Sequence, residues 1–383
     1  VKREDFLVFG APQIGEEEIA EVVACLRSGW IGTGPRVAEF EKQFRDYRGM
    51  RHAVAVNSCT AALHLSLLAA GLKAGDEVIT TPMTFCATVN AIIHAGLKPV
   101  LADVDPVTQN IDPQEVARRI TPRTRALVLV HFGGRPCEMG PLVDLARKHN
   151  LKIIEDCAHA TEASYDGRAL GSFGDFGCFS FYVTKNMTTG EGGMVLTNSD
   201  DAQAKVKIQA LHGLTRDAWN RFGDEGYRHY EVIDCGFKYN MTDMQAALGI
   251  HQLRRLEANW LRREAIWKRY TRELARLPVT LPAPAAANTR HSYHLYTLLI
   301  DPACGVTRDQ FMKNMTECRI GVGVHYLSIP AHPYYRREFG WTPEDFPHAA
   351  KIGEQTISIP LSPRLSDADV ADVIDAVAFS LRG

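Results

Sequence analysis

The sequence predicts an α/β protein, a mainly parallel sheet covered by helices and followed by a smaller α+β unit. Three observations predict it. Between residues 53 and 197, short apolar runs alternate with amphipathic helical stretches, the pattern of linked βαβ units. Past residue 240 the alternation gives way to a long stretch, 242–277, rich in Leu, Ala, Arg and Glu. A connector with three prolines, 278–288, then precedes a final mixed segment. At roughly 100–200 residues per domain, the 383 residues divide into a large domain, 1–250, and a smaller C-terminal one, 251–383.

The elements follow in order. Residues 15–28 read as a helix with Ile19, Val22, Val23 and Leu26 on one face, acids in the first turn and Ser28-Gly29 as its stop. Strands are expected at 53–56, 77–80, 99–104, 126–130, 151–155, 176–182 and 193–197. Helices are expected at 58–70, closed by Gly71, at 88–95, closed by Gly96, at 113–120 and at 141–149. The stretch 242–277 exceeds an ordinary helix and is expected to bend. Beyond the connector come a strand at 293–300, a helix at 308–318, a strand at 321–326 and an amphipathic helix from Asp367.

Composition narrows the function. Hydrophobic residues make up 45% and charged residues 23%, as in ordinary globular proteins that bury a core. Lys and Arg number 43 against 45 Asp and Glu, which excludes a broadly basic nucleic-acid binder. No apolar run approaches the roughly 18 residues of a membrane span, and the first residues lack an apolar leader. The nine cysteines are irregularly spaced without a Cys-x-x-Cys pair. They read as buried reduced thiols, not as a disulfide framework or a zinc site. A cytoplasmic protein without metal, membrane or nucleic-acid partner is expected.

Three segments carry chemistry. In Val56-Asn57-Ser58-Cys59-Thr60, a strand ends in small polar residues that open a helix. Free N–H groups and the helix dipole there suit a phosphate, although plain N-capping accounts for the same residues. The absence of a Walker or Gly-x-Gly-x-x-Gly pattern disfavours a P-loop or a dinucleotide fold. In Ile153-Ile154-Glu155-Asp156-Cys157-Ala158-His159, an acid pair sits at a strand's carboxyl end, where open parallel sheets bind ligands. Such an acid holds a cationic ring nitrogen or a metal, or merely caps a helix. In Phe179-Ser180-Phe181-Tyr182-Val183-Thr184-Lys185, one lysine leaves an apolar strand ahead of a glycine cluster. An exposed lysine is the bland reading; a desolvated one is a nucleophilic amine. In this order, phosphate site, acid and lysine match the needs of pyridoxal 5'-phosphate. Phe85, just after the strand 77–80, offers a ring to stack on the cofactor or to fill the core.

These segments are similar to the DegT/DnrJ/EryC/StrS sugar aminotransferases, within the fold-type I pyridoxal-phosphate enzymes. The resemblance runs nearly end to end. It is carried by SGWIGTGPRVAEFE (28–41), AVAVNSCTAALHL (53–65), GDEVITTPMTF (75–85), IEDCAHA (154–160), FSFYVTKNMTTGEGGM (179–194) and GFKYNMTDMQAALG (236–249). It implies a seven-stranded, mainly parallel sheet in the large domain. It also implies that Lys185 binds the cofactor covalently and moves the proton, and that Asp156 pairs with the pyridinium nitrogen. Phe85 would stack on the ring and His159 lie beside it, near the phenolic oxygen. The Cys59 backbone, Thr60 and Ser180 would hold the phosphate, with Asn240 reaching it from the neighbouring subunit of a homodimer. Family members usually have Ala where this chain has Cys59, a difference of no weight if only the N–H is used.

The implied reaction moves an amino group from L-glutamate to a nucleotide-linked 4-keto-sugar, giving an amino-sugar nucleotide and 2-oxoglutarate. Gly323-Val324-His325-Tyr326 and His332-Pro333-Tyr334-Tyr335-Arg336 resemble members that aminate C4, which makes His325 a substrate-side residue or a structural histidine. A C3 keto-sugar or a keto-inositol is the alternative substrate. A 3-dehydratase would carry His in place of Lys185, and a non-catalytic cofactor-binding protein has no sequence support. The loop 214–235, polar with interleaved aromatics, is expected to contact the nucleotide or cover the dimer interface.

Overall fold

The computed structural model describes residues 3–215 and 230–382. Two helices, α1 (Glu16–Ser28) and α2 (Pro35–Arg48), lead into β1 (His52–Val56). There follow α3 (Cys59–Ala69), β2 (Glu77–Thr80), α4 (Cys86–His94), β3 (Lys98–Leu101), α5 (Pro113–Arg119) and β4 (Thr124–Val130). Next come α6 (Met139–His149), β5 (Lys152–Asp156) and a small hairpin, β6 (Ser164–Tyr165) and β7 (Arg168–Ala169). β8 (Phe176–Ser180), β9 (Gly193–Thr197) and α7 (Asp200–Ala210) complete this part.

The main sheet has seven strands in the order β1-β9-β8-β5-β4-β2-β3. From β3 to β8 neighbouring strands are parallel, whereas β9 runs antiparallel to both β8 and β1. The predicted mainly parallel α/β sheet is thus present. Helices cover both faces, so the central strands are buried on both sides, and this explains their continuous apolar runs. Parallel order sends the carboxyl ends of β4, β5 and β8 to one edge, where the residues after each strand meet.

The remaining chain forms α8 (Asp243–Arg254), α9 (Leu256–Leu274), β10 (Thr289–Arg290), β11 (Tyr296–Leu299), α10 (Arg308–Glu317), α11 (Pro333–Phe339), α12 (Pro347–Gln355), β12 (Thr356–Ile359) and α13 (Asp367–Ser380). The expected break in 242–277 falls at Arg255, which leaves helical geometry between α8 and α9 (φ −95°, ψ 0°). β11 and β12 pair antiparallel, and Trp267, Tyr270, Tyr296 and Phe311 fill a core of their own beside them. The first residues pack here too: Leu7 bridges Ile320, and Arg3 pairs with Asp369.

One expectation needs correction, and one helix face lies where periodicity alone could not place it. The apolar stripe of α1 faces outward, with Ile19, Val23 and Leu26 exposed, and the helix instead buries Glu18 and Cys25. Glu18 accepts hydrogen bonds from Gln252 and Arg255 (both 2.8 Å), so the buried charge is paired. Residues 321–326 alternate apolar side chains but form no strand; one bridge, Gly323 to Ser358, is all the ladder they make. All nine cysteines are unpaired; six are buried and Cys235 is exposed. Among the described residues, no helix is long and apolar enough to cross a membrane. Most of the loop 214–235, residues 216–229, lies outside the described residues.

Candidate active site

A cavity of about 440 Å³ opens at the carboxyl ends of the parallel strands. Cys59, Thr60, Phe85, Asp156, His159, Ser180, Lys185 and His325 all line it; Asn240 does not.

One end of the cavity is the start of α3. The Ser58 hydroxyl caps the helix by accepting the Ala61 N–H (3.1 Å), and the first intrahelical bond runs from Ala62 to the Ser58 carbonyl. The N–H groups of Cys59 and Thr60 precede that bond, so they are free to face an anion at the positive end of the helix. β9 passes against this helix start only because residue 193 is glycine. A Cβ there would lie 2.5 Å from the Ser58 carbonyl and 2.7 Å from the Cys59 nitrogen.

The acid pair at the end of β5 divides its work, because successive strand residues point to opposite faces. Glu155 turns inward and accepts the backbone N–H groups of Gly171 (2.8 Å), Phe173 (2.7 Å) and Gly174 (3.0 Å). Asp156 faces the cavity. Its Oδ2 accepts the Thr88 hydroxyl (2.8 Å), its Oδ1 accepts the Ala158 N–H (3.1 Å), and the Cys59 thiol lies 3.9 Å from Oδ1. Burial raises the Asp156 pKa, against the opposing pull of Thr88, the Ala158 N–H and Lys185. A carboxylate so fixed, and so poorly solvated, gains most from a cationic partner.

Lys185 sits in the turn after β8, its N–H bonded to the Tyr182 carbonyl (2.9 Å). Burial lowers its amine to about 8, while the Cys59 thiol and Asp156 hold it up. The neutral nucleophile is therefore well populated near physiological pH. In the cofactor-free protein, the rate at which Lys185 captures an added aldehyde is expected to rise with pH about a midpoint near 8. Stopped-flow absorbance against pH checks this, and a midpoint near the ordinary 10.5 would contradict it.

Phe85 opens α4 and is 58% exposed, so it is a wall of the cavity and not a core residue. His159 is buried; its Nδ1 accepts the Gly133 N–H (3.2 Å), and its Nε2 meets the Tyr326 hydroxyl (3.1 Å). Burial and nearby Lys185 keep it neutral, well below the ordinary histidine range. His325 stacks on Phe9 (5.5 Å between centroids), and its Nδ1 is 2.9 Å from the Ser358 hydroxyl. Burial lowers it to about 4, so it too is uncharged. Ser180 ends β8 at the cavity wall.

Asn240 lies instead across from Val56, its Nδ2 donating to the Thr33 hydroxyl (2.7 Å) and its buried Oδ1 without a partner. Thr88 and Tyr326 are among the cavity residues that were not expected site residues. The sequence signal for Thr88 is its place one turn past Phe85 on α4; Tyr326 stood next to His325 in a segment already singled out.

A seven-stranded sheet with a lysine, a strand-tip acid and a helix start around one cavity is the architecture of the fold-type I pyridoxal-phosphate transferases. Residues 12–378 match the model of the DegT/DnrJ/EryC1/StrS aminotransferase family, and the chain belongs to that family. It is 47% identical over 384 aligned residues to the spore coat polysaccharide biosynthesis protein SpsC of Bacillus subtilis, covering 100% of this chain and 99% of that one. The putative sugar aminotransferase Spr1654 of Streptococcus pneumoniae, solved in its PMP form, superposes with a TM-score of 0.91 at 32% identity. That match covers 98% of this chain and 99% of the other. DesI, solved in the presence of its TDP-sugar product, gives 0.87 at 32% identity over 100% of this chain and 94% of its own.

Proposed function

We propose that this chain binds pyridoxal 5'-phosphate and transfers an amino group from L-glutamate to a nucleotide-linked 4-keto-sugar, giving an amino-sugar nucleotide and 2-oxoglutarate. The observation that carries this is the shared cavity. An amine lowered to about 8, a buried carboxylate and two helix-start N–H groups line one space of about 440 Å³. They fit the aldehyde, the ring nitrogen and the phosphate of the cofactor, and Phe85 offers a face for the ring. When bound, that group supplies an electron sink for the carbon that loses its proton.

The chain's residues do the rest. Asp156, held by Thr88 and Ala158, keeps the ring nitrogen protonated. Cys59 and Thr60 N–H groups and Ser180 bind the phosphate. Lys185 would take the donor's α-proton as general base and pass it to the cofactor carbon that bears the amino nitrogen. His325 lies on the substrate side.

A second, wider groove of about 790 Å³ adjoins the cavity and shares Thr84, Phe85 and Tyr326 with it. Such room exceeds the need of a small diacid and supports a bulky second substrate. DesI, whose structure was solved with a TDP-sugar product, supports a nucleotide-linked sugar. SpsC supports polysaccharide synthesis as the setting. Homodimer assembly is part of the reading. The outward stripe of Ile19, Val23 and Leu26, continued by Trp30 and Ile31, gives a partner an apolar face. Asn240 would reach the partner's phosphate through its Nδ2, which has a second N–H beyond the one it gives to Thr33.

L-glutamate is expected to bleach the visible band of the cofactor-loaded protein, and a nucleotide-linked 4-keto-sugar to restore it. NMR of the product reads the aminated carbon. A band indifferent to glutamate overturns the donor; an amine at C3, or turnover only of a keto-inositol, overturns the acceptor.

A further inference from the structure

The His159–Tyr326 contact has a fixed polarity. Gly133 sits at φ +61°, a left-handed backbone that glycine adopts without strain, and its N–H points at His159 Nδ1 (3.2 Å). The Gly133 carbonyl accepts the N–H groups of His294 and Leu295 (both 3.2 Å), which pins the turn. A ring nitrogen that accepts an N–H carries no proton. The neutral ring therefore keeps its proton on Nε2. That Nε2–H donates to the Tyr326 oxygen (3.1 Å), so the phenol's own hydrogen is not used on His159. Among the described residues the Tyr326 hydroxyl has no other hydrogen-bond partner, and Tyr326 lines the cavity. Lys185, His294 and His325 around His159, and Asp156 and Cys86 around Tyr326, are the other titratable groups near this pair, and burial keeps both histidines neutral.

We infer that Tyr326 is a further binding residue of the site, its hydroxyl hydrogen directed by His159 at an electron-rich oxygen of the bound ligand. The shared chemistry is a carbonyl or phenolate oxygen, from either the keto-sugar or the cofactor. The inference rests on the transamination reading of the cavity.

Two measurements test it. In ¹⁵N-labelled protein without cofactor, His159, assigned by its loss in His159→Gln, is expected as the neutral tautomer with the proton on Nε2. A proton on Nδ1 would overturn the inference whatever the enzyme does. In cofactor-loaded Tyr326→Phe, the two half-reactions are followed separately beside the resting spectrum. Slowing of the keto-sugar half by about tenfold to a hundredfold, with the glutamate half and the spectrum unchanged, identifies the sugar oxygen. A shifted visible band with both halves slowed identifies the cofactor oxygen. An unchanged band with both halves unchanged overturns the role, even if the melting temperature falls. Failure of the transamination reading looks different, since the unaltered protein would then not bleach with glutamate.

Discussion

Lys185→Ala is expected to leave a folded protein whose transamination falls by at least about 10²–10⁴-fold, the usual contribution of a positioned general base. No neighbour can replace the lost amine. Lys185 is the only lysine or arginine among the described residues lining the cavity. His159 has both ring nitrogens engaged, and His325, lowered to about 4, is a weak base. Lys185→Arg is expected to be as inactive, because a guanidinium keeps the charge but supplies no neutral amine. The fold should not suffer. Burial opposes the protonated amine, with a pKa of about 8 in the folded chain against an ordinary 10.5. Between those values the unfolded chain holds more protons, so the cofactor-free wild type gains stability as pH rises through that window. Lys185→Ala lacks this dependence, and its advantage in melting temperature is largest below pH 8. Single-turnover rates and melting curves at several pH values measure both effects. Wild-type turnover in Lys185→Ala would remove the proposed chemistry altogether.

What was legible in the sequence follows from distance along the chain. Lys185, Asp156 and the start of α3 each sit just past an apolar strand, and a parallel sheet gathers such ends at one edge. Local pattern therefore placed them. Thr88 orients Asp156 from 68 residues away, and Tyr326 meets His159 from 167 residues away, so neither contact leaves a local mark. α2 was not predicted although Pro35 at its start, Gly49 at its end and the spacing of Val37, Phe40 and Phe44 mark it locally; only its N-terminal cap is long-range. The caps of its first turn come from Asp243, whose carboxylate accepts the N–H groups of Gly34 (2.8 Å), Arg36 (3.1 Å) and Val37 (3.0 Å). A capping acid some 207 residues downstream has no counterpart in the usual Ser/Thr/Asp signal beside a helix. The stripe on α1 was read correctly as helical periodicity. Periodicity says which residues share a face, not what that face meets, and here it is exposed in the single chain.

Glu162→Ala is expected to cost about 3–5 kcal/mol of stability, the range for stripping one partner from a buried ion pair. Arg263 is 2% exposed and pairs with Glu162, which is fully as buried. Its Nε already lacks a partner, so the guanidinium has nothing to fall back on. Glu162 also accepts two hydrogen bonds from the Asn186 amide (3.0 and 2.8 Å), and that amide donates to the Ser292 carbonyl (2.9 Å). Asn186 follows Lys185 directly, and its Oδ1 is 2.9 Å from His294 Nδ1. Loss of the carboxylate therefore loosens the residue beside the reactive amine as well as the charge on α9. Glu162→Gln should fall between, because an amide still accepts from Asn186 while the charge is gone. Urea unfolding separates the causes when Glu162→Leu, Arg263→Met and the double variant are measured together. If the uncompensated charge dominates, the double variant recovers much of what Glu162→Leu loses. If the Asn186 contacts dominate, it recovers little, and cofactor retention falls in step with stability. A Glu162→Ala protein within about 1 kcal/mol of wild type, less than a typical lost buried partner, would mean that solvent reaches Arg263 through the small polar recess it shares with Lys185, Asn186 and Gln252.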